Sequence, residues 1–523
     1  MWNKCCLALV FVLFSMAALA FPKSPMSVNE VPRELASTAR NLEHVLRKHG
    51  FDVKRGYFRL YTTDDCPYSF EVMKSCYANN PAAPYVLPTV PFWRDEFVDP
   101  ATISALGLTR KGYTSSFRFD PREAIVILAQ LPPPAAYFGL QTYQFTHKGT
   151  YKTDSNQYQF VFESLNKLLD IFFAEVPRNS DRIQSLSSLS NSINNVVIER
   201  QSGQAFDQMR FFIITPDKLV DEGIRNAFHS LQIDDHDIFT EPIPSTAASG
   251  VTVGLGEDAD DFATVIRYAK PDDEGGIGTR SYAWRNDLPM IVLRARYTYT
   301  NREPEPYPAA TLENRTGWDE TPLMPQLVRL ISLVSAKWGQ PCSSPGCPLP
   351  TLNMQEPPPD LVGPDCTAVG MNCLADTQDT VYEMAPRVPL DEGEVYAVVG
   401  PLSTETTNAT YVSIGVNNSY LLEGVGEVSN KLLAGTALEF ASDLTDPDKF
   451  FVYYFTRDCK GLESLTNGQC FSISTDMIPA CTGDPAKCPR LGLTVRAYIR
   501  PGTQRGPDAA KILPSVVIPL RRP

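Results

Sequence analysis

Few side chains in this sequence could perform acid–base chemistry near neutral pH. The chain has only five histidines, and one of them, His147, follows an aromatic stretch at residues 137–145 that is predicted to be a strand. An imidazole at a strand end could act as a general base if a carboxylate from another loop oriented it, and Asp65 and Asp458 are candidate partners. These residues suggest a hydrolase; the alternative is that His147 is an ordinary surface or structural residue.

Two acidic clusters could supply oxygen ligands to a calcium ion, which binds about six to eight of them. Neither cluster has the glycine and glutamate positions of an EF-hand loop, so the alternative for each is a solvated turn. Calcium is therefore a possible cofactor of a structural module. The candidate ligands are Asp234, Asp235 and Asp237 in one cluster, and Glu257, Asp258, Asp260 and Asp261 in the other.

Other motifs of catalysis and cofactor binding are absent from the sequence. It contains no H-E-x-x-H, G-x-S-x-G, P-loop or C-x-x-C motif, and we predict no organic cofactor. A basic patch near the C-terminus could hold an anion or dock on an acidic face, although ordinary surface charge is the alternative. The patch comprises Arg496, Arg500 and Arg505, together with Arg521 and Arg522.

The first twenty residues are typical of a secretory signal. Lys4 precedes an apolar run at residues 5–14, and Ala18-Leu19-Ala20 has the small residues of a cleavage site. The alternative is an uncleaved anchor. We expect a secreted, extracellular protein, or a periplasmic one if the source is bacterial, with no membrane span in the mature chain.

Ten of the twelve cysteines follow the predicted signal, and they fall into close pairs. Short loops bring partners together at little entropic cost, so we predict five local disulfides. A zinc site is disfavoured because the pairs lack its spacing and no histidine accompanies them. The predicted bonds are Cys66–Cys76, Cys342–Cys347, Cys366–Cys373, Cys459–Cys470 and Cys481–Cys488.

Three sequons would be surface glycosylation points if the source is eukaryotic. Their acceptors are Asn314, Asn408 and Asn417. The net charge is −13 and the sequence pI is about 5.0, which disfavours nucleic acid and anionic membranes as partners. The expected partner is an unidentified extracellular ligand, glycan or protein.

Hydrophobic periodicity predicts helices and strands in alternation along residues 31–338. Pro32 and Gly50 mark the ends of the first helix, and Thr215-Pro216-Asp217 begins the second. Residues 158–173 are ambiguous, because the first part alternates and the rest has helical spacing; we predict a strand that runs into a helix. The predicted helices are 31–49, 216–232 and 327–338; the predicted strands are 57–62, 116–119, 124–129, 137–145, 195–199, 210–214, 262–268 and 290–297.

Seven short strands with little helical pattern follow a stretch rich in proline and cysteine. This pattern is typical of a β-sandwich. The predicted organisation is a signal peptide at 1–20, a helix plus β-rich module at 21–150, an α+β region at 151–338, a connector at 339–391 and a sandwich-like domain at 392–523.

The pattern Y-x-T-x-D-C occurs twice, at residues 61–66 and 454–459. It indicates either a duplicated β-module or a coincidence of common strand-end chemistry.

We therefore expect a β-rich α+β protein, with helices on a sheet in the N-terminal region and an all-β C-terminal domain. Three functions remain open: a non-catalytic extracellular or envelope protein with a binding or structural role, a secreted hydrolase, and a calcium-dependent structural module.

Overall fold

The computed structural model describes residues 31–156, 159–160, 182–299, 302–340, 351–358, 361–363, 366 and 370–523. Within these ranges the chain forms eight α-helices and 21 strands, arranged in four sheets. The predicted β-rich α+β class is confirmed. None of the helices in this part of the chain is long and apolar enough to cross a membrane.

The N-terminal half contains two sheets. Across sheet I the strands are, in order, β1 (Phe51–Arg55), β12 (Met290–Tyr297), β5 (Glu123–Gln130), β9 (Met209–Thr215) and β10 (Ile238–Pro242). Across sheet II they are β2 (Tyr57–Leu60), β3 (Val86–Pro91), β11 (Asp261–Pro271), β6 (Ala135–Lys148) and β7 (Arg182–Ser188), with β4 (Tyr113–Thr114) beside β3 and β8 (Ile193–Asn194) beside β6.

Two long helices cover the outer face of sheet I. The helix Arg33–Lys48 buries Leu35, Leu42 and Leu46, which recur at helical spacing, and it ends before Gly50, whose φ of 85° favours glycine. The helix Lys218–Ser230 packs beside it. Because a second core lies between sheets I and II, this half has three layers: helices, sheet I and sheet II.

The C-terminal half also contains two sheets. Sheet III has the order β13 (Leu352–Asn353), β21 (Val516–Arg521), β15 (Glu394–Pro401), β18 (Phe450–Thr456) and β19 (Cys470–Ser472). Sheet IV has the order β14 (Thr380–Met384), β20 (Leu491–Tyr498), β16 (Tyr411–Asn418) and β17 (Glu423–Ser429). One core lies between the two sheets, and a second joins sheet III to the helix Met324–Lys337.

These sheets cross the predicted boundaries in the chain. Sheet I takes strands from both sides of residue 150. β13 and β14 lie within residues 339–391, the predicted connector, and each adds an edge strand to the sandwich. The helix Met324–Lys337 packs on sheet III, so it belongs structurally with the C-terminal half.

The two halves repeat one topology. Sheets I and III have the same strand order, and in each only the last pair, β9 with β10 or β18 with β19, is parallel. In sheets II and IV, β11 and β20 occupy the same position, as do β6 and β16. We call residues 33–297 the N-terminal module and residues 324–521 the C-terminal module.

Equivalent hydrogen bonds occur in both modules. The Thr215 hydroxyl donates to the backbone carbonyl of Glu123 at 2.7 Å, and the Thr456 hydroxyl donates to that of Glu394, also at 2.7 Å. Each glutamate begins the central strand of its sheet and accepts a hydrogen bond from the backbone N–H three residues earlier. The repeat therefore extends from strand order to individual side chains.

The two Y-x-T-x-D-C segments are not equivalent within this repeat. The first follows β2 at the edge of sheet II, whereas the second includes the end of β18 in sheet III. The topological equivalent of β18 is β9, which ends at Thr215-Pro216-Asp217. A repeated module is present, but these two segments do not mark it.

The structure differs from two local predictions of strands, and a third prediction falls mostly outside the described residues. Residues 195–199 form part of the helix Asn195–Ser202 and not a strand, because the side chain of Asn194 caps that helix by accepting from the Val197 N–H. Residues 116–119 contribute a single bridge, between Phe117 and Phe262. The ambiguous stretch 158–173 lies outside the described residues except for 159–160.

Candidate functional site

A pocket with a volume of about 100 Å³ lies between sheets II and IV, where the two modules meet. Five tyrosines form much of its wall: Tyr77, Tyr85, Tyr137, Tyr382 and Tyr498. Two arginines also line it, Arg267 from β11 and Arg496 from β20. We call this the inter-module pocket.

Strand alternation directs both arginines into the pocket. On β11, Ile266 packs between sheets I and II, so its neighbour Arg267 faces the opposite side of sheet II. On β20, Val495 packs between sheets III and IV, and Arg496 faces outward in the same way. The outer faces of sheets II and IV pack against each other. Side chains that point away from the two sandwich cores therefore line the same pocket.

Each arginine lies beside a tyrosine: Tyr382 belongs to β14, the strand next to β20, and Tyr85 immediately precedes β3, the strand next to β11. The Arg267 guanidinium carbon is 5.5 Å from the ring centre of Tyr85, and that of Arg496 is 6.0 Å from the ring centre of Tyr382. Arg496 and Tyr382 are direct partners in the strand register. Arg267 and Tyr85 adjoin the paired residues Ile266 and Val86. Cation–π contact therefore orients both guanidinium groups.

Both guanidinium groups are buried but incompletely hydrogen-bonded. Arg267 is 7% exposed and donates from Nη2 to the Tyr143 hydroxyl at 2.7 Å. Arg496 is 5% exposed and donates from Nη2 to the carbonyl of Ala78 at 3.1 Å, while its Nη1 has no partner among the residues that the structure describes. Gly415 makes room for Arg496, because a Cβ atom there would overlap Nη1.

No carboxylate of the described residues forms an ion pair with either arginine. Of the nearby acids, Asp379 accepts from the Tyr137 hydroxyl at 2.9 Å, and Glu427 lies 3.1 Å from Lys270 Nζ. The pocket therefore holds two buried positive charges without a negative partner, which is costly unless an anion binds there.

The hydroxyls of Tyr85, Tyr137 and Tyr498 remain protonated at neutral pH. Burial raises the pKa of Tyr85, Tyr137 and Tyr498 above the ordinary tyrosine value. Tyr85 donates to the carbonyl of Tyr77 at 3.2 Å, but the hydroxyls of Tyr382 and Tyr498 bond to no residue in the described ranges. These two can donate hydrogen bonds to a ligand.

The structure does not bring the predicted histidine and aspartates together. Two strands, β3 and β11, separate the β2 edge near Asp65 from β6, which carries His147. Asp458 is exposed after β18 in the other module. Asp65 forms an ion pair with Arg59, and Asp458 accepts from the Lys460 N–H at 2.9 Å. Burial lowers the pKa of His147.

Basic side chains neutralise carboxylates of the acidic clusters. Asp235 contacts Arg225 at 2.9 Å and His229 at 3.0 Å, and Asp237 contacts Arg210 at 3.0 Å. Asp234 precedes them at the start of a short 3-10 turn. No group of potential metal ligands occurs among the residues that the structure describes.

The second acidic cluster is divided between two sets of partners. Glu257 and Asp258 contact Lys148 at 3.3 and 2.6 Å. Asp261 bonds to Arg118 at 3.0 Å, and Asp260 accepts from the Thr252 N–H at 2.7 Å.

Four of the five predicted cysteine pairs are bonded in the structure: Cys66–Cys76, Cys366–Cys373, Cys459–Cys470 and Cys481–Cys488. Cys342 and Cys347 lie outside the described residues. These bonds fit an oxidising compartment.

Two of the three sequons are in the interior, so the prediction of surface glycosylation needs correction there. Asn408 is fully buried, and its amide contacts Trp318 and Glu320. Asn417 is buried within β16. Only Asn314 is exposed, as a glycan acceptor must be in the folded protein.

The predicted basic patch is not a single surface. Arg496 faces the inter-module pocket, whereas Arg505 donates to the carbonyls of Gln378 and Glu313. Arg522 is exposed and donates to the carbonyl of Lys460.

The sequence did not predict Arg267 or the tyrosines of the inter-module pocket as site residues. The sequence signal for the arginines is a charged residue between two apolar residues, at a strand position that faces away from the sandwich core.

No protein-family model matches this chain, and no curated protein matches it in sequence. Among solved structures it is similar to an uncharacterised protein from Burkholderia cenocepacia, with 11% sequence identity and a TM-score of 0.34, over 93% of this chain and 86% of that one. A similarity of this degree carries no argument about function.

Proposed function

We propose that this chain is a non-catalytic extracellular binding protein that holds a small ligand in the inter-module pocket. The observation that carries the proposal is the pocket itself, which is lined by tyrosines and by two buried arginines that form no ion pair with a carboxylate of the described ranges. Ligand sites in proteins typically combine an apolar or aromatic wall with a few polar groups that fix orientation.

The alternative functions have less support from the geometry. A hydrolase based on His147 needs a carboxylate near the imidazole, and both candidate aspartates lie on other elements with partners of their own. A calcium-dependent module needs several free carboxylate oxygens in one place, and carboxylates of both acidic clusters are engaged by basic side chains.

A thermal-shift screen tests the proposal. The probes are phenol, propionate, malonate and inorganic phosphate, each added to the full chain, because a ligand that binds only the folded state raises the melting temperature. Ala375→Trp would fill the pocket, since Ala375 lines it. Ala283→Trp is the matched control, because Ala283 is exposed on the helix Arg280–Asp287.

We expect at least one probe to stabilise the wild-type protein and Ala283→Trp but not Ala375→Trp. If no probe binds, or if the pocket-filling variant binds as well as the control, the proposed function is wrong.

A further inference from the structure

We propose that the ligand is a short dicarboxylate, with one carboxylate held by the arginine of each module, whose guanidinium group a tyrosine ring orients. This inference rests on the proposed function and specifies the chemical class of the ligand. The repeat supports it: β11 and β20 occupy equivalent positions, and each presents one arginine beside a tyrosine, which is Tyr85 just before β3 or Tyr382 on β14.

The repeat makes the two halves of the pocket chemically alike. Arg267 with Tyr85 forms one half-site in sheet II, and Arg496 with Tyr382 forms the other in sheet IV. Two similar half-sites that face one cavity from opposite walls match a ligand with two similar ends.

The unused hydrogen-bond donors indicate what those ends must be. A guanidinium group has five N–H donors, and its flat fork matches a carboxylate in a bidentate fashion. Arg267 gives one of these donors to Tyr143, and Arg496 gives one to Ala78. Tyr382 and Tyr498 belong to the C-terminal module, and the free hydroxyl of either can donate to the carboxylate that Arg496 binds.

The size and walls of the pocket favour a short carbon chain between the carboxylates. Its volume of about 100 Å³ is below the ~150 Å³ cavity that accommodates benzene. Leu374, Ala375 and Leu422 add apolar surface to the tyrosine rings. A molecule with one to a few carbon atoms between its acidic groups fits this description.

Titration calorimetry with malonate and propionate tests the inference, in a buffer of monovalent ions. Malonate has two carboxylates, whereas propionate is similar in size and has one. We expect malonate to bind the wild-type protein at least about tenfold more tightly, the effect of one added charged hydrogen-bonding group. Arg267→Met and Arg496→Met should each reduce malonate binding to the level of propionate.

Conservative variants keep the test decisive if either arginine variant fails to fold. Tyr382→Phe and Tyr498→Phe remove only a hydroxyl, and together they should weaken malonate binding several-fold without changing propionate by the same factor. Phe117 is distant from the pocket in the core of the N-terminal module, so Phe117→Leu serves as a control for general destabilisation.

Three results would overturn the dicarboxylate assignment: equal affinity for malonate and propionate, unchanged malonate affinity in both arginine variants, or tighter binding of inorganic phosphate than of malonate. In each case, loss of probe binding in Ala375→Trp would leave the proposed binding function in place. Failure of that variant to affect any probe would contradict both proposals.

Discussion

At the scale of single residues, buried carboxylates in this protein differ in how they are stabilised. Asp261 lies between Arg118 and Arg182, with contacts of 3.0 and 3.1 Å. Glu241 is fully buried on β10 and has only neutral donors, among them the Thr142 N–H at 2.6 Å and Gln141 Nε2 at 3.2 Å. Burial raises the pKa of Glu241 to about 7.

Glu241→Gln should remove a pH dependence of stability. Glu241 is ionised in the unfolded chain above its ordinary pKa of about 4.5, but the folded protein retains the proton until about pH 7. Glu241 should therefore lower the stability of the folded protein as the pH rises from 4.5 to 7, by about 3 kcal/mol, and its effect should then level off. Glutamine does not titrate, so the decline measured by urea unfolding should be smaller by this amount in the variant, while burial, which also raises the pKa of Glu123 and Glu383 to about 7, leaves their share of the decline in place.

Glu392→Gln, at an exposed position, is the control for Glu241→Gln and should follow the wild-type pH profile. Parallel profiles for the wild-type protein and Glu241→Gln would show that Glu241 is ionised in the folded state across this range.

At the scale of elements, the two parallel strand pairs are connected differently. The connection from β9 to β10 includes the helix Lys218–Ser230, which packs on sheet I. The connection from β18 to β19 includes only the short helix Glu463–Thr466. The Cys459–Cys470 bond joins the two ends of this connection. In the C-terminal module this disulfide therefore holds the edge strand β19 in place. In the N-terminal module a packed helix does the same for the edge strand β10.

Removing this bond with Cys459→Ser and Cys470→Ser should lower the free energy of unfolding by about 2–3 kcal/mol. Hydrogen exchange should also accelerate at the backbone amides of β19, because β18 is its one strand partner within the described part of the chain. The paired control is Cys481→Ser with Cys488→Ser, in a turn outside the sheets. Exchange in β19 that is unchanged by the first pair, or equally fast in the control, would refute this role.

At the scale of the whole molecule, the modules are joined by close backbone contact as well as by side chains. The Cys76 N–H donates to the Leu421 carbonyl at 2.8 Å, and the Ala78 N–H donates to that of Leu422 at 2.6 Å. Gly424 lies against the carbonyl oxygen of Asn79 so closely that a Cβ atom would overlap it. The chain needs glycine there for the modules to meet.

Gly424→Ala should therefore destabilise the junction by about 1–3 kcal/mol, the typical cost of overpacking, because backbone atoms cannot move aside cheaply. Calorimetry should show a broader or more divided unfolding transition than that of the wild-type protein, and ligand binding in the inter-module pocket should weaken. Gly492→Ala is the control, since a Cβ atom there meets its nearest neighbours at 3.6 Å. Equal effects of the two substitutions would mean that the contact at Asn79 does not govern module association.

Local features of the fold could be predicted because their causes are local in the chain. The helix Arg33–Lys48 follows from the spacing of its leucines, and the strands of the C-terminal module follow from short apolar runs between turns. The cysteine partners that the structure describes are neighbours in sequence.

The inter-module pocket depends on tertiary structure alone. Tyr85 and Arg267 are far apart in the sequence, as are Tyr382 and Arg496. Arg267, Arg496 and Tyr382 lie on strands and face away from their own sandwich cores, and Tyr85 immediately precedes β3. On an isolated sheet such positions face water, so an arginine between apolar neighbours marks an outward position in the sequence but does not show that it is buried. Only the packing of sheet II on sheet IV removes water from these side chains and brings two unpaired positive charges to one cavity.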